Sequence, residues 1–169
     1  MIKMPILFKN IEYDLLMESV SLESDKDYVN KQIQSDDYIN FLHQHPPNRT
    51  ENVDYYILKK HNVPIGFITI CYDLEGDIIS AEPCILLSTK KSINTLKAFA
   101  ILLEFLFFEK QIDRLEIKVY GNNKQMIHIM NKSDFCYEGK IDYVKMVNGE
   151  PVSILYYSLL KEEYYELLS

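Results

Sequence analysis

Tryptophan is absent from the 169-residue chain and cysteine occurs only three times. Basic residues are outnumbered, with 18 Lys and Arg against 25 Asp and Glu, a formal net charge of −7. Each shortage excludes something. Without clustered Lys and Arg there is no surface for a phosphate backbone, so no nucleic-acid partner is expected. Cys71, Cys84 and Cys136 are odd in number and widely spaced. They form neither a disulfide framework nor a zinc motif, and a reducing, cytoplasmic setting follows. The N-terminus MIKMPILFKNIEYD has no long apolar core and no small-residue cleavage site. The strongest apolar run, AFAILLEFLFF at 98–108, is interrupted by Glu104. It falls well short of the ~20 residues a membrane span needs, so it reads as a buried helix and no membrane association is expected.

What is present is ordinary for a globular protein: 47% apolar and 25% charged residues, with 13 tyrosines. No repeat, low-complexity tract or Gly/Ser/Pro linker divides the chain, which predicts one domain over 1–169 with one sizeable core. A first strand is expected at 12–20. A helix over 24–42 follows, with Ser24 as its cap and a break near Ser35, and then a loop at 43–52 where two prolines stop the helix. Strands are predicted at 53–60, 65–74 and 78–88, forming an antiparallel meander. Pro83 has no N–H to give a ladder, which predicts an edge or a bulge in the third of these. A long helix at 93–110, a strand at 113–120 and a helix at 122–133 opened by an Asn come next. Strands at 135–146 and 151–160 flank the tight-turn signal Asn148-Gly149. A short helix at 161–168 closes the chain. The order predicts an α/β fold, a mixed and mostly antiparallel sheet with helices on both faces.

That order, and the motif spacing of the second half, resemble the GNAT N-acetyltransferase family. The similarity runs over about 53–168. It is carried by Asn123, Ile127, Ile129 and Phe135, by Glu138-Gly139 in register after them, and by the ending VNGEPVSILYYSLLKEEY. The subgroup resembled includes ribosomal-protein N-terminal and amino-sugar acetyltransferases. The resemblance implies acetyl-CoA as cosubstrate, a primary amine as acceptor, and strand amides around Leu86, Leu87 and Ser88 that hold pantetheine and the acyl carbonyl where two strands part after Leu87. It also implies a helix N-terminus that receives the pyrophosphate. At that loop the chain departs from the family: Ile93 and Thr95 stand at the two glycine positions, leaving Lys90, Lys91, Ser92, Asn94 and Thr95 to supply donors and charge. Met130 replaces the tyrosine that serves as general acid, and Asp134 replaces a glycine.

Two residues are candidates for the chemistry. Glu82, on the third strand of the meander, suits a base that takes the acceptor's ammonium proton; its plainer role is a salt-bridge partner or an exposed strand carboxylate. Tyr120, ending the strand before the Asn helix, is a hydroxyl for the departing thiolate; its plainer role is packing. Asn123 caps its helix and is a candidate contact for the pantetheine arm. His43 and His45 have no third ligand for a metal, so none is expected. Cys84 lacks the partners of a cysteine nucleophile. The tyrosine pairs 55–56, 156–157 and 164–165 are explained by packing as well as by stacking on a sugar or base. The function expected is acetyl transfer from acetyl-CoA to a small-molecule amine or amino sugar, less readily a protein N-terminus. Two rivals remain: a GNAT-like binding module without activity, and an acyltransferase drawing on a carrier protein. A homodimer is expected by analogy alone.

Overall fold

A computed structural model describes residues 14–19, 27, 28, 31, 52–88 and 92–169. Of the helix expected at 24–42, Asp27, Tyr28 and Lys31 are described and helical; the rest of it, and nearly all of the 43–52 loop, lies outside the described residues. The elements are β1 (Leu15–Ser19), β2 (Val53–Lys60), β3 (Val63–Asp73), β4 (Ser80–Leu87), α1 (Ser92–Glu104), β5 (Arg114–Tyr120), α2 (Lys124–Asn131), β6 (Cys136–Val147), β7 (Glu150–Leu160) and α3 (Lys161–Leu168). The seven strands form one sheet in the order β1-β2-β3-β4-β5-β7-β6. It is the mixed, mostly antiparallel sheet that the sequence predicts. Parallel pairing joins β4 to β5, for which the intervening helix supplies the crossover that parallel neighbours need.

By packing, the chain divides into two compact units: Glu12–Asp73 with Pro83–Leu102, and Met1–Ile11 with Leu74–Glu82 and Leu103–Ser169. In the first, β2 and β3 pair closely through a two-residue turn in which His61 and Asn62 hold φ of 50° and 63°. Ile57, Leu58, Phe67, Ile68 and Ile70 are buried. Gly66 permits a close approach: a Cβ there would stand 2.6 Å from Leu87 Cδ2 and 3.1 Å from the Leu86 carbonyl oxygen. Lys97 and Lys60 both reach Asp14, at 2.6 and 3.1 Å.

In the second unit, β5 alternates strictly. Leu115, Ile117 and Val119 are buried, and Arg114, Glu116, Lys118 and Tyr120 are partly exposed on the other face. The hairpin β6–β7 turns on Asn148-Gly149 with φ of 51° and 81°, the primed geometry that Asn-Gly favours. Phe107 is fully buried and stacks on Tyr164 of α3, centroids 4.6 Å apart. The apolar helix does not run on to residue 110 in regular form. Its last turn, Phe105–Glu109, is a π-helix, which buries Leu106 and Phe107 and leaves Phe108 exposed.

Two expectations about β4 are corrected. The strand lies inside the sheet, between β3 and β5, so of the edge or bulge expected at Pro83 the edge is overturned. The β4–β5 ladder pairs Ser80 with Arg114 and Ala81 with Leu115, so its paired positions end well before Leu87. A proline is tolerated in an internal strand where no ladder bond is asked of its nitrogen. Among the described residues, no helix is long and apolar enough to cross a membrane.

Candidate functional site

The direction of each β4 amide follows from three bonds. Ser88 N–H donates to the Ile65 carbonyl on β3 at 2.8 Å, and the Ile79 carbonyl accepts from Asp113 N–H and Arg114 N–H on the opposite side. N–H and C=O of one strand residue point the same way, and the direction alternates along the chain. Even-numbered residues of β4 therefore address β3, and odd-numbered ones face away from it. Of the three residues singled out for backbone binding, Leu87 directs its amide away from β3, whereas Leu86 and Ser88 direct theirs toward it. Ser88 Oγ also donates to the Ile65 carbonyl, at 2.8 Å. Ile85 joins Leu87 on the outward side and was missed. The signal was available in the period of two, but it needed one known bond to set its phase.

At the start of α1, Asn94 is 4% exposed and its Oδ1 meets no hydrogen-bond partner among the described residues. An unsatisfied buried amide oxygen costs on the order of 1–3 kcal/mol, so the position asks for a donor. Ile93 is exposed and Thr95 is half-buried, the two residues that the resemblance aligns with the family's loop glycines. Ser92 begins the helix; Lys90 and Lys91 lie outside the described residues.

Glu82 is buried and accepts from Lys118 Nζ at 2.6 Å, the carboxylate side chain being 8% exposed and the lysine 24%. Lys118 also lies 5.8 Å from the centre of the Tyr156 ring on β7. Four residues back along β5, Arg114 binds Glu116 and Glu138, each at 3.0 Å. Glu138 accepts in addition from the Ser158 hydroxyl. The Ser158 hydroxyl and the Arg114 guanidinium hold the Glu138 carboxyl below its ordinary range. Tyr120 ends the same row with Lys145 Nζ 4.0 Å from its ring centre. The structure thus brings Glu82, Lys118, Tyr156, Tyr120 and Lys145 together in one unit as a polar cluster. Sequence reasoning named Glu82 and Tyr120 and missed the two lysines, because their meaning depends on cross-strand distances.

Asn123 caps α2, its Oδ1 accepting from Met126 N–H at 3.1 Å. Met130, standing where the family carries a tyrosine, is 1% exposed and serves as core. Among the described residues, no three His, Cys, Asp or Glu side chains are grouped to hold a metal. The arrangement can take a proton at a buried carboxylate, offer a phenol, and present strand amides that are turned away from their neighbour.

No protein-family model and no curated protein matches the chain. Solved structures do. The spermidine/spermine N-acetyltransferase SpeG from Vibrio cholerae aligns with a TM-score of 0.70 at 14% identity, covering 90% of this chain and 96% of that one. A probable acetyltransferase aligns at 0.66 with 20% identity and the same coverages. The aminoglycoside N(6′)-acetyltransferase from Legionella pneumophila aligns at 0.64 with 13% identity, over 94% and 98% of the two chains. At such identities the likeness establishes the fold, which is the GNAT fold.

Proposed function

We propose that this chain, acting as a single domain, is a GNAT-type N-acetyltransferase that moves an acetyl group from acetyl-CoA to a primary amine on a small molecule. The observation that carries the reading is the buried Glu82 carboxylate, on the strand whose odd-numbered amides face away from β3, within a fold that acetyltransferases share over 90% of the chain. The residues fit the donor at two places. Leu87 and Ile85 offer outward N–H groups, and the α1 N-terminus, the segment of Ser92, Asn94 and Thr95, offers the free amides of a helix end. Lys90 and Lys91 add charge for the pyrophosphate. Acetyl-CoA supplies an acyl group already activated as a thioester.

The chain's own groups do the rest. Glu82 takes the ammonium proton of the acceptor, leaving the lone pair that attacks the carbonyl. The Lys118 ammonium fixes the carboxylate in place through their 2.6 Å contact. The Leu87 and Ile85 amides stabilise the oxyanion. Tyr120 donates its phenolic proton to the departing thiolate, the task for which Met130 is chemically unfit. Asn123 holds its helix while touching the pantetheine arm. The neighbours named for spermidine and for aminoglycosides support a small-molecule amine over a protein N-terminus.

One observation favours a second reading. Lys118 already occupies Glu82 at 2.6 Å, as in a structural ion pair, so the domain would bind a partner without turnover. An assay separates the two: incubate the chain with acetyl-CoA and a panel of small amines, and follow product mass and free thiol. Acetylated amine with stoichiometric thiol release, abolished in Glu82→Gln, supports transfer. No product from any amine, with the chain folded, refutes it.

A further inference from the structure

Three cations on or beside the polar face have carboxylate partners: Arg114 has Glu116 and Glu138, Lys118 has Glu82, and Lys140 has Asp142. Lys145 has none among the described residues, in a chain whose net charge is −7. Its ammonium is instead laid over the Tyr120 ring at 4.0 Å, a favourable contact that leaves the positive charge uncompensated. Burial pushes its pKa below the ordinary lysine value.

The strand is deformed where it delivers that side chain. Ile141 faces Ile154 and Lys145 faces Val152, so four steps along β6 span the distance of two along β7. Within that bulge Tyr143 holds φ of 58° and is 78% exposed. A tyrosine in the left-handed region is strained, and no burial of its own ring offsets the cost. Bulges of this kind re-aim a side chain beside a site. Here the re-aimed side chain is a lysine that reaches across β7 to the candidate acid on β5.

We propose that Lys145, seated on Tyr120, is the carboxylate-binding end of the acceptor site, so that the preferred acceptor is an amino acid-like molecule bearing an anionic group beyond its amine. The proposal rests on the acetyl-transfer reading for the identity of the other end, where Glu82 takes the amine. Lys118 and Tyr120 are two residues apart on one face, about 7 Å along the strand. The carboxylate pole at Glu82 and the cationic pole at Lys145 thus suit the two ends of one small zwitterion. A polyamine or an aminoglycoside would instead bring a second ammonium toward Lys145, and like charges repel.

The test uses the full chain with its lysines reductively methylated with 13C, which preserves their charge. The Lys145 signal is identified by its loss in Lys145→Arg. L-alanine, L-phenylalanine and 4-aminobutanoate are titrated, each beside its carboxamide, with spermidine and CoA as further arms. The expected result is a saturable shift of the Lys145 signal with at least one acid, at concentrations five-fold or more below its amide. Silence toward every acid, equal response to acid and amide, or response to CoA alone overturns the proposal. Transfer to amines with a silent Lys145 removes this inference alone. A responsive Lys145 without transfer removes the transfer reading and leaves the anion site. In the active enzyme, Lys145→Met should lower the acid-to-amide ratio of kcat/KM tenfold or more, and Lys145→Arg should retain it.

Discussion

Replacing Lys118 with methionine isolates the buried ion pair at the centre of the proposed site. The substitution keeps the length of the side chain and removes the ammonium that meets Glu82 at 2.6 Å. Breaking a fully buried pair costs roughly 3–5 kcal/mol, because the surviving charge stays desolvated. Here the lysine is 24% exposed and the carboxylate 8%, so water already screens one partner and the expected loss is smaller, about 2–3 kcal/mol. For a chain of this length that lowers Tm by ~5–10 °C. The two halves of the pair should also differ. In Glu82→Leu the lysine can swing toward solvent on its long stem, so this variant should lose less than Lys118→Met. The double variant should recover to within about 1 kcal/mol of the parent.

Acid should narrow the deficit of Lys118→Met, since protonation neutralises the buried carboxylate that has lost its lysine in the folded state. The folded variant then binds more protons than the unfolded chain, and its stability falls as pH rises. Urea unfolding of the four proteins at about pH 5 and 8 measures all of this. A Lys118→Met loss below ~0.5 kcal/mol at the higher pH, or a larger loss in Glu82→Leu, would refute the reasoning.

Gly66→Ala should destabilise the chain by about 1–3 kcal/mol through overpacking, since the new methyl meets Leu87 Cδ2 at 2.6 Å and the Leu86 carbonyl oxygen at 3.1 Å. Chemical denaturation checks it, and an unchanged midpoint counts against the packing at β3 and β4. Hydrogen bonds from Lys97 and then Lys60 lower the Asp14 carboxyl from 3.8 to about 2. Because the folded value is depressed, its stabilisation is complete above the unfolded value and disappears as pH falls toward about 2. Asp14→Asn should therefore melt below the parent near neutral pH and converge with it at strongly acidic pH. A difference that persists unchanged there would contradict the assignment.

The sequence was most legible where a local rule decides the structure. Val53–Lys60 and Lys161–Leu168 form as predicted, the first on its β-branched and aromatic run, the second on a helical period after a strand. Asn148-Gly149 set its own turn. Pro83 misled because the proline rule counts ladder bonds, and whether a neighbour asks for one at that position is a property of the whole sheet. The π-turn at Phe105–Glu109 was hidden because an all-apolar run gives no period to shift. Glu82 and Tyr120 stood out in the sequence as chemically apt residues, Glu82 by the family resemblance and Tyr120 by its place at the end of a strand. The lysines beside them are not near them in sequence, and only the register of β5, β6 and β7 brings Lys118 and Lys145 to them. Which β4 amides face outward likewise depended on cross-strand bonds, from Ser88 to Ile65 and from Asp113 and Arg114 to Ile79.

Calorimetric titration of the chain with acetyl-CoA addresses the central claim most directly. The account predicts saturable binding at one site per chain, with a rise in Tm that grows with ligand as RT ln(1 + [L]/Kd). No heat and no thermal shift at millimolar acetyl-CoA would contradict it.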